Sequence, residues 1–88
     1  MKLIAGVDIG NSTTEVCIGQ IDEAQKLTFV SSTSCPTTGT KGTVANVHGI
    51  KAALKLAMSK IGRSVSEIFL VRLNEAAPVI GDTAMETL

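Results

Sequence analysis

The sequence is nearly without aromatic residues: it has no tryptophan, no tyrosine and, among 88 residues, only Phe29 and Phe69 as large rings. Two rings make no stacking platform for nucleic-acid bases. They also force the core onto branched aliphatics and alanine, which suits strands packed against a small-residue helix. Charge of one sign is lacking too, since eight basic residues balance eight acidic ones. That argues against nucleic acid or an anionic membrane as partner, because both want clustered Lys and Arg. Cys17 and Cys35 are the only cysteines and His48 the only histidine, with no CxxC pair, so a metal site of that kind is not expected. Cys17 falls inside a predicted strand and reads as a small buried hydrophobe. The count leaves a disulfide open, but nothing suggests a secreted scaffold. There is no long apolar stretch and no cleavage site after Met1-Lys2-Leu3, so the expected location is cytoplasmic.

What is present is a composition that folds: 44% hydrophobic and 18% charged, with no low-complexity tract or repeat. A chain this short buries a small share of its surface, so it reads as one small domain or a piece of a larger one. Leu3 to Asp8 is short, apolar and β-branched, the pattern of a strand buried on both faces. Gly10-Asn11-Ser12-Thr13 is a tight turn of small polar residues. Thr14 to Ile21 resumes β character, and after the polar Asp22-Glu23-Ala24-Gln25 a third strand is expected from Leu27 to Ser32. Together these predict an antiparallel meander. Ser31 to Thr43 reads as a long Ser/Thr/Gly loop, of the length that is functional or mobile in a compact domain. Val47, Ile50, Leu54, Ala57, Met58 and Ile61 then recur at helical spacing, predicting a helix from about Val44 to Ile61 with Gly62 at its C-terminal end. Ile68 to Val71 is a fourth strand, expected to be parallel after the helical connection. Ile80 to Leu88 is expected to begin another helix, and the C-terminus reads as a cut. The expected fold class is α/β: a β-β-β-α-β ribonuclease-H-like half-domain with a mixed sheet. That class alone assigns no function.

The first turn carries the chemistry. In Val7-Asp8-Ile9-Gly10-Asn11-Ser12-Thr13-Thr14-Glu15-Val16 a strand ends in Asp, then Gly, then amide and hydroxyl side chains, before the next strand begins. Gly10 lets the backbone turn and approach a bound group. The main-chain N–H groups of Asn11, Ser12 and Thr13 can then face phosphate oxygens, with the hydroxyls of Ser12, Thr13 and Thr14 as further donors. Asp8 only accepts, so its expected work is to hold magnesium, directly or through water. An ordinary hairpin turn explains the same residues, with Gly supplying positive φ and Asp and Asn making side-chain turns. The position of Asp8 at the end of a strand read as doubly buried weighs against that alternative, because a buried carboxylate needs a partner.

Val7 to Val16 resembles the first phosphate motif of the superfamily of actin, heat-shock chaperones and sugar kinases. Within it, the chain is similar to the large subunit of diol and glycerol dehydratase-reactivating factors. Three stretches carry the likeness: Leu3 through Val16, Thr37-Thr38-Gly39-Thr40-Lys41-Gly42-Thr43, and Leu73-Asn74-Glu75-Ala76-Ala77-Pro78-Val79-Ile80-Gly81-Asp82 through Thr87. The resemblance implies the N-terminal segment, residues 1–88, of an actin-like ATPase domain in an ATP-dependent, chaperone-like factor. Such a factor releases damaged cobalamin from diol or glycerol dehydratase. It implies ATP or ADP with magnesium as cofactors, and a reactivase small subunit and the dehydratase as partners. It implies Gly10, Asn11, Ser12 and Thr13 as nucleotide contacts and Asp8 as the residue near the metal. No catalytic residue is assigned, and the segment by itself is not expected to hydrolyse ATP.

Other residues read as structural. Lys41 lacks the spacing of a Walker A loop and is expected on the surface. His48 has no carboxylate or nucleophile at helical spacing. Glu75 and Asp82 follow a strand end where sites of such sheets form, but each reads more simply as a cap or solvated loop residue. Two other functions compete with the reactivase reading. One is a segment of a sugar kinase or acyl-CoA dehydratase activator built on the same loop; the other is a small structural α/β domain without ligand.

Overall fold

The computed structural model describes residues 2–40 and 42–73. Its elements are β1 (Lys2–Ile9), β2 (Thr13–Ile21), β3 (Leu27–Pro36), α1 (Val44–Ser59), a 3-10 turn (Val65–Glu67) and β4 (Ile68–Leu73). The sheet order is β3-β2-β1-β4. The β1–β2 and β2–β3 pairs are antiparallel, whereas β4 runs parallel to β1. The meander and the parallel fourth strand thus form as expected, with β4 on the β1 edge and α1 carrying the chain across β2 and β1.

Among the described residues, one face of the sheet is covered and the other open. Leu3, Ala5, Val7 and Ile9 of β1 and Val16 and Ile18 of β2 point to the same side, where they meet Ile50, Ala53, Leu54, Ala57 and Met58 of α1. Period-2 and period-3.6 apolar patterns therefore meet in a single layer, as one helix on one sheet requires. This corrects the reading of β1 as buried on both faces: Lys2, Gly6 and Asp8 are exposed. An unbroken apolar run admits either burial pattern, and here small Gly6 and charged Asp8 mark the open side. Cys17 is also exposed on that side and not buried as expected. The aliphatic core is as composition demanded, for both rings lie outside it, Phe29 at 65% and Phe69 at 64% exposure.

Local chemistry sets the joints. Asp22 Oδ1 accepts from the amides of Ala24 and Lys26, and Gln25 takes φ of 65°, closing the β2–β3 turn. The Thr43 hydroxyl caps α1 by accepting from the Asn46 amide. Gly62, at φ 68°, follows the helix end where an L side chain would be strained. The third strand runs on to Pro36 beyond the expected Ser32, because Ser31 to Cys35 pair along β2 in alternation. Only residues 37–43 remain as linker. Lys41, Glu75, Asp82 and the helix expected over Ile80–Leu88 lie outside the described residues.

Candidate phosphate-binding turn

The turn between β1 and β2 closes on itself through one backbone bond, the Gly10 amide donating to the Thr13 carbonyl at 2.9 Å. None of Gly10, Asn11, Ser12 and Thr13 has positive φ. The two-residue hairpin turns that fit twisted strands require it, so this is not that ordinary turn. Glycine at position 10 answers a different need: a Cβ there would lie 2.7 Å from the Thr13 carbonyl oxygen.

Thr37, the first residue after β3, ties the turn down. Its amide donates to the Ser12 carbonyl at 2.9 Å, and its hydroxyl donates to the Gly10 carbonyl at 2.8 Å. The Thr14 and Thr37 hydroxyl oxygens are also 2.9 Å apart. A hydroxyl has one proton to give, and that of Thr37 goes to Gly10, so the Thr14 hydroxyl is the donor in this pair. Thr14 is buried, and its proton is spent inside the protein. This corrects its expected role as a donor to a ligand.

The consequence is a polarised turn. The carbonyls of Gly10, Ser12 and Thr13 are all engaged within the protein, whereas Asn11 and Ser12 donate no hydrogen bond to any described residue. Both are exposed, as is Thr13. The Asn11 and Ser12 amides are thus unspent donors on exposed residues, which suits an anion. Asp8 sits one residue pair back, on the open face, directly across from Glu15 of β2. Both are exposed, so the carboxylate is not forced by burial to find a partner, contrary to the expectation from sequence. Like charges set opposite each other repel, and the described residues place no cation against either. No group of three or more potential metal ligands occurs among the described residues.

The linker completes this end of the molecule. The Thr38 hydroxyl donates to the Ala45 carbonyl at 2.8 Å, and Asn46 Nδ2 donates to the Thr38 carbonyl at 3.0 Å. Asn46 is buried at 2% exposure. His48 is exposed on α1 without a hydrogen-bonding partner among the described residues. Thr37 was missed by sequence reasoning as a partner of the turn. The signal was a hydroxyl residue immediately after Pro36 in a Thr-rich stretch, but its register against Ser12 depends on β3 continuing to Pro36.

The class defined by this sheet, with its crossover helix and first turn, is the actin-like ATPase fold. A Ppx/GppA phosphatase from Aquifex aeolicus shares the fold at 21% identity and a TM-score of 0.53, over 100% of this chain and 31% of that one. More specifically, the chain is similar to large subunits of dehydratase-reactivating factors. It is 56% identical to the diol dehydratase-reactivating factor large subunit of Klebsiella michiganensis and 54% identical to the propanediol dehydratase-reactivating factor large subunit of Citrobacter freundii. Both matches cover all of this chain but 14% of the relative. A diol dehydratase-reactivating factor solved in nucleotide-free form superposes with a TM-score of 0.79 at 53% identity, over 86% of this chain and 13% of that one. A glycerol dehydratase reactivase superposes with a TM-score of 0.72 at 43% identity, over 84% of this chain and 12% of that one. No family model matches the chain. The resemblance read from the motifs thus extends over the whole of these 88 residues, which span about one seventh of the length of the curated relatives.

Proposed function

We propose that residues 10–13 are the first phosphate-binding turn of a nucleotide-dependent dehydratase-reactivating factor, with Gly10, Asn11, Ser12 and Thr13 as contacts to ATP or ADP. The observation that carries this reading is the polarity of the turn: the carbonyls of Gly10, Ser12 and Thr13 are engaged inside the protein, whereas the exposed Asn11 and Ser12 donate to no described residue. A neutral, pre-oriented set of donors suits phosphate oxygens, because it needs no reorganisation when the anion arrives.

Magnesium fits the neighbouring carboxylates only as a largely hydrated ion. One or two exposed oxygens, from Asp8 and across from it Glu15, are what an ion that keeps most of its water requires, and not a protein cage. When bound, the metal would neutralise phosphate charge; Asp8 would hold it through water. In the protein of which this segment is part, nucleotide exchange would drive the release of damaged cobalamin from diol or glycerol dehydratase, with a reactivase small subunit as the second component and the cytoplasm as the compartment. The relatives' names support the dehydratase and the division into subunits.

Calorimetry of ADP and magnesium with the full-length protein tests the turn. Replacing Asn11 and Thr13 together by alanine removes the flanking side chains, and Ser12→Pro removes an outward amide. Each is expected to weaken binding about tenfold or more, on the scale of one to two charge-assisted hydrogen bonds. Wild-type affinity in both variants would overturn the assignment.

A further inference from the structure

We infer that Thr37 is the positioning residue of the nucleotide site, the group that sets the direction of the Asn11 and Thr13 amides; this rests on the phosphate-turn reading above. Three hydrogen bonds converge on this residue, two given to turn carbonyls and one accepted from the Thr14 hydroxyl. The bonds are complementary in kind. By taking the carbonyl oxygens of Gly10 and Ser12, Thr37 holds the negative ends of those peptide dipoles inward. Each peptide unit is planar, so fixing the Gly10 carbonyl sets the opposed direction of the Asn11 amide, and fixing the Ser12 carbonyl does the same for Thr13. The two peptides that Thr37 grips therefore carry two of the proposed ligand donors.

The grip is itself anchored. Thr37 has little freedom between Pro36, the last residue of β3, and Thr38, which is bonded to Ala45 and to the buried Asn46 at the start of α1. The space beside Thr38 is also tight, for a Cβ at Gly49 would collide with the Thr38 hydroxyl. A continuous set of contacts thus runs from the first turn of α1 through the linker to the phosphate turn. Thr37 touches no ligand in this scheme. Its hydroxyl is consumed, and it acts only through Gly10, Ser12 and Thr14.

The test is nucleotide binding by the full-length protein carrying Thr37→Val, Thr37→Ser or Thr14→Val, with Ser12→Pro as the reference for the turn. Valine keeps the shape of threonine and removes the hydroxyl, and serine restores it. Thr37→Val is expected to raise the Kd for ADP about tenfold, the scale of losing the bonds that its hydroxyl makes to the Gly10 carbonyl and the Thr14 hydroxyl. Thr37→Ser is expected to stay within about twofold of wild type, and Thr14→Val to fall between them. Melting temperatures measured in parallel identify any variant that fails to fold, and then Thr14→Val against Thr37→Ser carries the comparison. If Thr37→Val binds as wild type while Ser12→Pro is weakened, the phosphate turn stands and the positioning role is overturned. Equal weakening in the valine and serine variants also overturns it, because the hydroxyl is then not the cause. Wild-type binding in all variants, Ser12→Pro included, removes the phosphate-turn reading and this inference with it.

Discussion

Gly10 illustrates how one residue can be required for a reason other than the one its type suggests. Its φ is not positive, so the usual freedom of glycine is unused; what excludes a side chain is the Thr13 carbonyl, 2.7 Å from where Cβ would be. Gly10→Ala must therefore break the Gly10–Thr13 bond or shift the turn. We expect a loss of about 1–3 kcal/mol in stability, the range for overpacking a tight site, together with weakened ADP binding, measured by denaturant titration and calorimetry on the same protein. Wild-type values for both would mean that the turn yields easily. Cys17 offers a contrasting case. Because it stands on the open face, Cys17→Ser in the 88-residue chain should change stability by less than about 0.5 kcal/mol. Its thiol should also react with a water-soluble disulfide reagent while the chain is folded. Protection until unfolding would restore the buried position expected from its apolar neighbours.

Among the elements, α1 was the easiest to foresee and depends most on its neighbours. Its apolar spacing placed the buried stripe of Val47, Ile50, Leu54, Ala57 and Met58 correctly, since a 3.6-residue period is independent of what lies opposite. What the spacing did not contain is how the last turn is satisfied. The Ala57 carbonyl, which a helix end leaves without a helical partner, accepts from the Ser31 hydroxyl of β3 at 2.9 Å, and Lys60 Nζ reaches the Ser32 carbonyl. Ser31 is buried, so Ser31→Ala should cost about 1–3 kcal/mol, the penalty of leaving that acceptor unmet. Leu54→Ala, which opens the centre of the stripe, should cost about 2–5 kcal/mol. Urea midpoints rank the two, and a Ser31→Ala variant as stable as wild type would show that water replaces the hydroxyl. The length of β3 belongs to the same scale. Its outer half, Ser31 to Pro36, is polar in composition and reads as loop, yet it pairs with β2 because Ser31 and Thr33 turn inward while Ser32 and Ser34 turn out.

At the scale of the molecule, the decisive feature is that the described residues cover the sheet on one side. Ile4, Cys17, Phe69, Leu70 and Arg72 share or border the open face or its edge, and Lys2 Nζ lies 4.2 Å from the Phe69 ring centroid. Exposed apolar strands of this kind associate when nothing covers them. The 88-residue chain should therefore elute with a concentration-dependent size in gel filtration, and Phe69→Glu with Leu70→Glu should move it toward monomer. A size constant over a hundredfold dilution would argue otherwise. The same incompleteness bears on binding: a single turn contacts one side of a phosphate group, so the isolated chain is expected to bind ADP only at millimolar concentration or not at all.

Sequence by itself determined the helix period, the places of the first, second and fourth strands, the aliphatic core and the Asp-x-Gly-Asn-Ser-Thr turn, because each is a property of neighbouring residues along the chain. It also carried the likeness to reactivating-factor subunits, through motifs that are local strings. Only the tertiary structure decided which side of β1 meets the helix, and so that Asp8 and Cys17 are exposed. It alone brought Thr37 to Gly10, 27 positions away, which spends the Thr14 proton and engages the turn's carbonyls. The physical reason is that burial and hydrogen-bond direction depend on pairs distant in sequence, and a proton can be assigned to a partner only once the partner's position is known.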